Sequence, residues 1–371
     1  MIFPWVKHFH TIYGEKEESA EASPDRSDTE AESGSTFPEP AEEADEGASS
    51  PASESGISAM GRVAANLLSH LNNDMAIGRR IKSGELRKRL VEPEWTVPEP
   101  FNMTTFTREH YSMKLLTRKA DPRTDMAILQ LHGGGYQGPV RNAYYVLAGL
   151  YNEVSRGMSV LTPDYRVAPE DPYPAALEDA ADAYAFLLER GYTGDQIIVG
   201  GDSAGGGLAL ALTMYLRDHD QPLPRGIIAM SPWTDLTAGG PSYESNYEKD
   251  IVFGNTKESL IYLNEYAAGM DKTNPYISPA FGSFEDFPPV LLQVGSEEML
   301  LSDSQTVAAK LRACGRKVRL SVYEGMFHDF QLAYLMLPES RRAWTEVGRF
   351  IEILMKDDRA DDIKNEESAF V

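Results

Sequence analysis

The chain has 371 residues, 42% of them hydrophobic, with a net charge of −22 and a single cysteine, Cys314. That length suits one α/β domain with an insertion, or two modest domains. The acidity argues against a nucleic-acid partner, one cysteine excludes an internal disulfide framework or a multi-cysteine zinc site, and no apolar run reaches the ~18 to 20 residues of a membrane span.

Residues 1–56 carry fourteen acidic and three basic side chains, half of the net charge. Glu, Ser, Ala, Pro and Gly dominate there, and so little apolar surface cannot offset the entropy of ordering, so a disordered acidic tail is expected. Residues 357–371, with six acidic and two basic side chains, are expected to behave alike. The start of the chain lacks the apolar core and small-residue cleavage site of a secretory signal, which together with the lone cysteine points to a reducing, cytoplasmic setting.

From Ile57 the apolar residues Met60, Val63, Ala64, Leu67, Leu68 and Leu71 recur at three- and four-residue steps, as on a helix. The basic stretch from Arg79 to Arg89 that follows is expected to be a solvated face of a helix capping a larger domain, with membrane contact the weaker alternative. Beyond residue 111, short apolar runs alternate with amphipathic stretches. Strands are predicted at 126–132, 159–165, 196–201, 226–231, 289–295 and 318–323, and helices at 175–190, 204–217, 304–314 and 339–355. Continuously apolar strands separated by helices imply a mostly parallel sheet covered on both faces. The stretch 232–289 breaks the rhythm and reads as an insertion.

Two motifs carry chemistry. Gly201-Asp202-Ser203-Ala204-Gly205 lies directly between a buried strand and a helix. A sharp turn there strains the serine and exposes its oxygen at the carboxyl edge of the sheet, at a helix N-terminus. His132-Gly133-Gly134-Gly135-Tyr136 closes another strand, and consecutive glycines let backbone N–H groups approach an oxyanion. A serine nucleophile needs a base. Of seven histidines, His8 and His10 lie in the tail, His70 on the presumed cap helix and His110 ahead of the first strands. His132 belongs to the glycine loop as a support. His219 stands a whole helix, roughly 24 Å, away from Ser203. His328, after the strand at 318–323, remains. The carboxylate that would orient it is Glu297, Glu298 or Asp303, and residue chemistry alone leaves the three open.

Taken in order, His132-Gly-Gly-Gly135, the segment Asp164-Tyr165-Arg166-Val167-Ala168-Pro169-Glu170, Gly201-Asp202-Ser203-Ala204-Gly205-Gly206, and the pair Glu298 and His328 resemble the motifs of the hormone-sensitive-lipase-like family of α/β-hydrolase esterases. The resemblance spans residues 57–355. It implies an α/β-hydrolase fold, a mostly parallel central sheet with helices on both faces, and a helical cap built from residues 57–101 and an insertion after the sixth strand, 232–275, within a domain 57–356. It implies Ser203 as nucleophile, His328 as base, and the N–H groups of Gly134, Gly135 and Ala204 as the oxyanion hole, with His132 and Gly133 supporting that loop. The family's acid stands thirty residues before the histidine, which places Glu298 in a role more often held by Asp, with Asp303 as the fallback.

The implied activity is a serine carboxylesterase acting on short- to medium-acyl esters of a small molecule, nearest in look to enzymes that trim acyl groups from natural products or secondary metabolites. An amide hydrolase or dehydratase on the same scaffold is the alternative; a non-catalytic receptor is disfavoured because Ser203 and His328 are both present. No metal or organic cofactor is implied, and a homodimer is compatible with the resemblance. The cap aromatics Trp233, Tyr243, Tyr247, Phe253, Tyr262 and Tyr266 are candidates to line the substrate pocket, each taken singly being more often core than pocket.

Overall fold

Strands that are apolar at every position must be covered on both sides, and the computed structural model, which describes residues 57–64, 92–334 and 336–356, shows that covering. Eight strands form one sheet: β1 (Phe101–Thr107), β2 (Ser112–Arg118), β3 (Arg123–Leu131), β4 (Met158–Asp164), β5 (Ile197–Asp202), β6 (Gly226–Met230), β7 (Val290–Gly295) and β8 (Val318–Tyr323). Their order across the sheet is β1-β2-β4-β3-β5-β6-β7-β8. β1 pairs antiparallel with β2 and β2 with β4; every other pairing is parallel. Parallel neighbours need crossovers. Helices α1 (Asn142–Val154), α2 (Ala175–Glu189), α3 (Ser203–Asp218), α4 (Ser242–Ser245), α5 (Leu301–Ala313) and α6 (Pro338–Lys356) lie between or after the strands.

Side chains alternate across the sheet. Leu129 and Leu131 of β3, Val199 of β5, Ile227 of β6 and Leu292 of β7 share one buried cluster with α2, α3 and α5. The alternating Ile128, Ile198, Ile228 and Leu291 are equally buried on the opposite face. There α1 meets α6, with the Tyr151 ring edge-on to Trp344 at 4.9 Å between centres. Among the described residues no helix is long and apolar enough to cross a membrane.

The six strands expected from apolar runs are β3 to β8, and four of the helices were equally visible. β1, β2 and α1 were not anticipated. β1 alternates a buried Phe101 with exposed polar positions, so it lacks a continuous apolar run, and its first residue coincides with the expected end of the cap segment. α1 has no capping side chain and no acidic residue in its first turn, which removes the usual start signal. The two expected tails and the basic stretch 79–89 lie outside the described residues. Of the helix expected from Ile57, a turn at 59–64 is described, and Ser58 ahead of it donates its N–H to Glu339 of α6 at 2.7 Å.

Between β6 and β7 stands the expected insertion. It holds α4 and a 3-10 turn, Pro279–Phe281, joined by tight turns rather than by long helices. Its two ends are clasped together. The Thr234 and Asp235 N–H groups donate to the Asp303 carboxylate at 2.7 and 2.8 Å. The Leu236 N–H donates to Ser278 Oγ at 2.9 Å, and the Ala280 N–H to the Thr234 carbonyl at 3.0 Å.

α3 starts where β5 ends and runs hard against the end of β3. A Cβ on Gly205 would stand 2.1 Å from the Leu131 carbonyl oxygen and 2.5 Å from that of His132. Both obstacles are backbone and cannot rotate away. Gly205→Ala is therefore expected to cost roughly 3 kcal/mol of stability, or to prevent folding, as read from the urea midpoint.

Candidate active site

The loops after β3, β5, β7 and β8 all leave the carboxyl edge of the sheet, where open α/β sheets carry their sites. At the end of β5 the chain turns into α3 at Ser203 itself, which has φ of 51°. A left-handed conformation costs an L residue roughly 1–2 kcal/mol, so it persists only because the flanking strand and helix impose it. Ser203 Oγ lies 2.9 Å from His328 Nε2. The other ring nitrogen, Nδ1, lies 2.9 Å from Glu298 Oε2. Glu298 Oε1 accepts the Ser231 hydroxyl at 2.7 Å and the Gly295 N–H at 2.5 Å. Serine, imidazole and carboxylate thus form one hydrogen-bonded line. Asp303, the fallback acid, is not part of it: its carboxylate holds the stem of the insertion, while Glu298 occupies the imidazole nitrogen.

Beside this line runs the glycine loop. Gly134 and Gly135 have φ of 111° and 64°, values that exclude most side chains. The loop is tied down by the Gly138 N–H on the Gly134 carbonyl at 2.9 Å and by Asn264 Nδ2 on the Gly135 carbonyl at 2.7 Å. Ala204 lies in the first turn of α3, where backbone N–H groups have no partner within the helix. His132 and Gly133, expected to support the loop, are both tied to neighbouring elements. The His132 ring stacks on Tyr165 at 4.0 Å, and the Tyr165 hydroxyl donates to the His132 carbonyl at 2.6 Å. The Gly133 N–H donates to the Tyr144 hydroxyl, which donates in turn to Asp202, each at 2.8 Å. The segment after Asp164 is structural too: Arg166 forks onto buried Asp179, with its closest contact at 2.8 Å.

One expectation is corrected. Ser203 and His328 are only 4% and 6% exposed, where an exposed hydroxyl was anticipated. The insertion packs against His328 and the glycine loop: the Phe253 ring lies 4.6 Å from the His328 ring, and Leu260 sits against Gly135 closely enough to meet a Cβ there at 3.0 Å. Of the six candidate aromatics, Trp233, Tyr243, Phe253 and Tyr266 are all buried in the main core, Phe253 also lying against the imidazole, and Tyr247 and Tyr262 flank Lys257. Ser231, Tyr144 and Asp329 were missed altogether. Asp329 carried the only signal, its adjacency to His328.

Burial lowers His132 to about 4, so that ring is neutral at ordinary pH. Burial also lowers His328, but the carboxylates of Asp329 and Glu298 outweigh it and hold the ring well above the ordinary histidine value. Glu298 is raised by burial, against which the His328 ring, the Gly295 N–H and the Ser231 hydroxyl favour its charged form.

Residues 128–332 match a protein family described by its alpha/beta hydrolase fold. The chain is 37% identical over 233 residues to the acetyl-hydrolase of Streptomyces hygroscopicus, across 63% of this chain and 76% of that one. It is 33% identical to the esterase of Acinetobacter venetianus, across 62% of this chain and 76% of that one. Among solved structures, the HSL-homologue EstE7 from a metagenome library superposes with a TM-score of 0.69 at 30% identity, over 81% of this chain and 99% of that one.

The neutral, desolvated His132 links stability to pH. Its folded pKa, about 4, lies below the unfolded value of 6.5, so the unfolded chain binds the extra proton and stability is lost as pH falls through that window. The stability difference between wild type and His132→Gln should therefore shrink on acidification from about pH 7 to about pH 4, by on the order of 3 kcal/mol, in paired urea titrations.

Proposed function

The chain belongs to the hormone-sensitive-lipase-like α/β hydrolases, a family of esterases, and on that premise we propose that it is a serine carboxylesterase for short-acyl esters of a small molecule. One observation carries the proposal: the hydrogen-bonded line from Glu298 through His328 to a left-handed Ser203 at a helix N-terminus, beside a glycine loop.

In this mechanism Ser203 Oγ attacks the ester carbonyl as His328 Nε2 takes its proton. The carbonyl oxygen becomes an oxyanion facing the N–H groups of Gly134, Gly135 and Ala204. Collapse breaks the bond to the alcohol oxygen, which receives the Nε2 proton and departs. Water then repeats the sequence on the acyl-serine and regenerates the hydroxyl. Glu298 holds Nδ1–H throughout, fixing the tautomer and stabilising the imidazolium. The Glu side chain reaches because its carboxylate is itself held by Ser231 and the Gly295 N–H.

The acyl group is proposed to be small because Phe253 and Leu260 close over the histidine and the glycine loop. A relative bearing the name acetyl-hydrolase supports the same size class. The physiological substrate proposed is accordingly a short-acyl ester of a natural product.

The test is hydrolysis of 4-nitrophenyl esters of increasing acyl length. Each methylene should gain roughly 0.8 kcal/mol until the pocket is full, placing the optimum at roughly two to eight carbons. Ser203→Ala should remove nearly all activity; a fully active variant would overturn the mechanism. Phe253→Ala should move the optimum to longer chains. Glu298→Gln should lower turnover by roughly 10³-fold or more, whereas Asp303→Asn should leave it within about tenfold.

A further inference from the structure

We propose that Asp329 is a positioning residue for this reaction: its carboxylate shares the Nε2 side of His328 with Ser203 and sets the pH at which the ring can act as a base. The proposal rests on the serine-esterase mechanism and adds a residue to it.

The geometry is specific. Asp329 Oδ2 lies 3.2 Å from His328 Nε2, the nitrogen that also lies 2.9 Å from Ser203 Oγ. Asp329 is placed there by a left-handed backbone, with φ of 56°. Its N–H donates to Ser231 Oγ at 3.3 Å, the same hydroxyl that donates to Glu298. One serine thus ties together the acids on the two sides of the ring. Asp329 Oδ1 is buried without a hydrogen-bond partner among the described residues, and the carboxylate meets the ring through Oδ2.

Every carboxylate around the ring has a different assignment. Glu298, after β7, contacts Nδ1. Asp202, at the end of β5, accepts the Tyr144 hydroxyl of α1. Asp250, in the insertion, accepts the N–H groups of Val252, Phe253 and Met299 at 2.7 to 2.9 Å. Both interact with His328 through their charge, yet their oxygens are spent elsewhere. Asp329 is the carboxylate whose oxygen meets the nitrogen that changes protonation during catalysis.

The chemical consequence follows from that contact. A neutral ring with its proton on Nδ1 presents the Nε2 lone pair to an anionic oxygen, which is repulsive. Once the Ser203 proton has moved to Nε2, that oxygen becomes an acceptor, and the imidazolium lies between two carboxylates. Asp329 therefore stabilises the charged ring twice, in the resting protein and in the acyl-transfer step. The carboxylate contact is among the causes that raise His328. The resting effect demands a higher pH for activity; the effect on the transferring proton raises the rate once that pH is reached.

The experiment compares wild type with Asp329→Asn and Asp329→Gly, both of which suit a positive φ. The His328 ring is titrated by NMR, identified by its loss in His328→Gln, and kcat/KM for 4-nitrophenyl acetate is measured across pH. Both variants should lower the ring titration and the ascending limb of kcat/KM together, by about one pH unit or more. The profiles should cross, the variants being several-fold faster on the acid side and slower on the plateau. A ring titration unmoved by loss of the carboxylate overturns the proposal, as does a limb that stays in place while the plateau falls. If the wild type hydrolyses no ester, the esterase mechanism fails, while the ring titration still decides the role of Asp329. Should one variant not fold, the other supplies the measurement.

Discussion

The whole site depends on a change of direction completed at one residue. β5 ends at Asp202 and α3 begins at Ser203, with no linking residue between them. To turn that sharply the backbone adopts a left-handed value at the serine, and the first turn of the helix must slide past the end of β3. The Leu131 and His132 carbonyls stand where side chains on α3 would be, so small residues follow the serine. Once that crossing is made, the glycine loop after β3 and the helix N-terminus are forced side by side. The glycine-loop N–H groups and the Ser203 hydroxyl are neighbours because the strand and helix that carry them are in contact.

A second constraint is electrostatic. Glu298, Asp202, Asp250 and Asp329 surround a single imidazole, in a region the insertion shields from water. Charge there is tolerable only where each oxygen has donors. Glu298 has three, Asp250 has backbone N–H groups and Asp202 has a tyrosine hydroxyl. Asp329 has the fewest, and burial with the neighbouring Asp329 raises Asp202 well above the ordinary carboxyl value. The ring is thereby held in a field that favours its positive form.

Much of this was legible in the sequence because it is written locally. Continuous apolar runs identified β3 to β8, and two short motifs identified Ser203 and the glycine loop. His328 followed from elimination among seven histidines. Glu298 needed the family spacing, since Glu297, Glu298 and Asp303 look alike in one dimension; only the fold shows that Asp303 turns to the insertion and Glu298 to the ring. β1 and β2 escaped because an edge hairpin is half exposed and needs no apolar run. Ser231, Tyr144 and Asp329 escaped because their importance lies in partners 67, 58 and 98 residues away along the chain. A serine or tyrosine has no periodicity that announces such a partner.

The clasp at the root of the insertion has a consequence for how the protein can vary. Thr234 and Ala280 are hydrogen-bonded to each other, and Leu236 to Ser278, so the insertion leaves and rejoins the sheet at nearly one point. Its ends are already held together, and closing a flexible loop on fixed ends becomes harder only slowly with length, by about 0.6 kcal/mol per doubling. Stretches inside the clasp that pack against neither the core nor the site can therefore be added or removed at small thermodynamic cost, whereas Asn246, Asp250 and Asn264 tie the insertion to Glu298, Met299 and Gly135 and fix its remainder. Those stretches are free to diversify in length as well as in composition, on a sheet that stays the same.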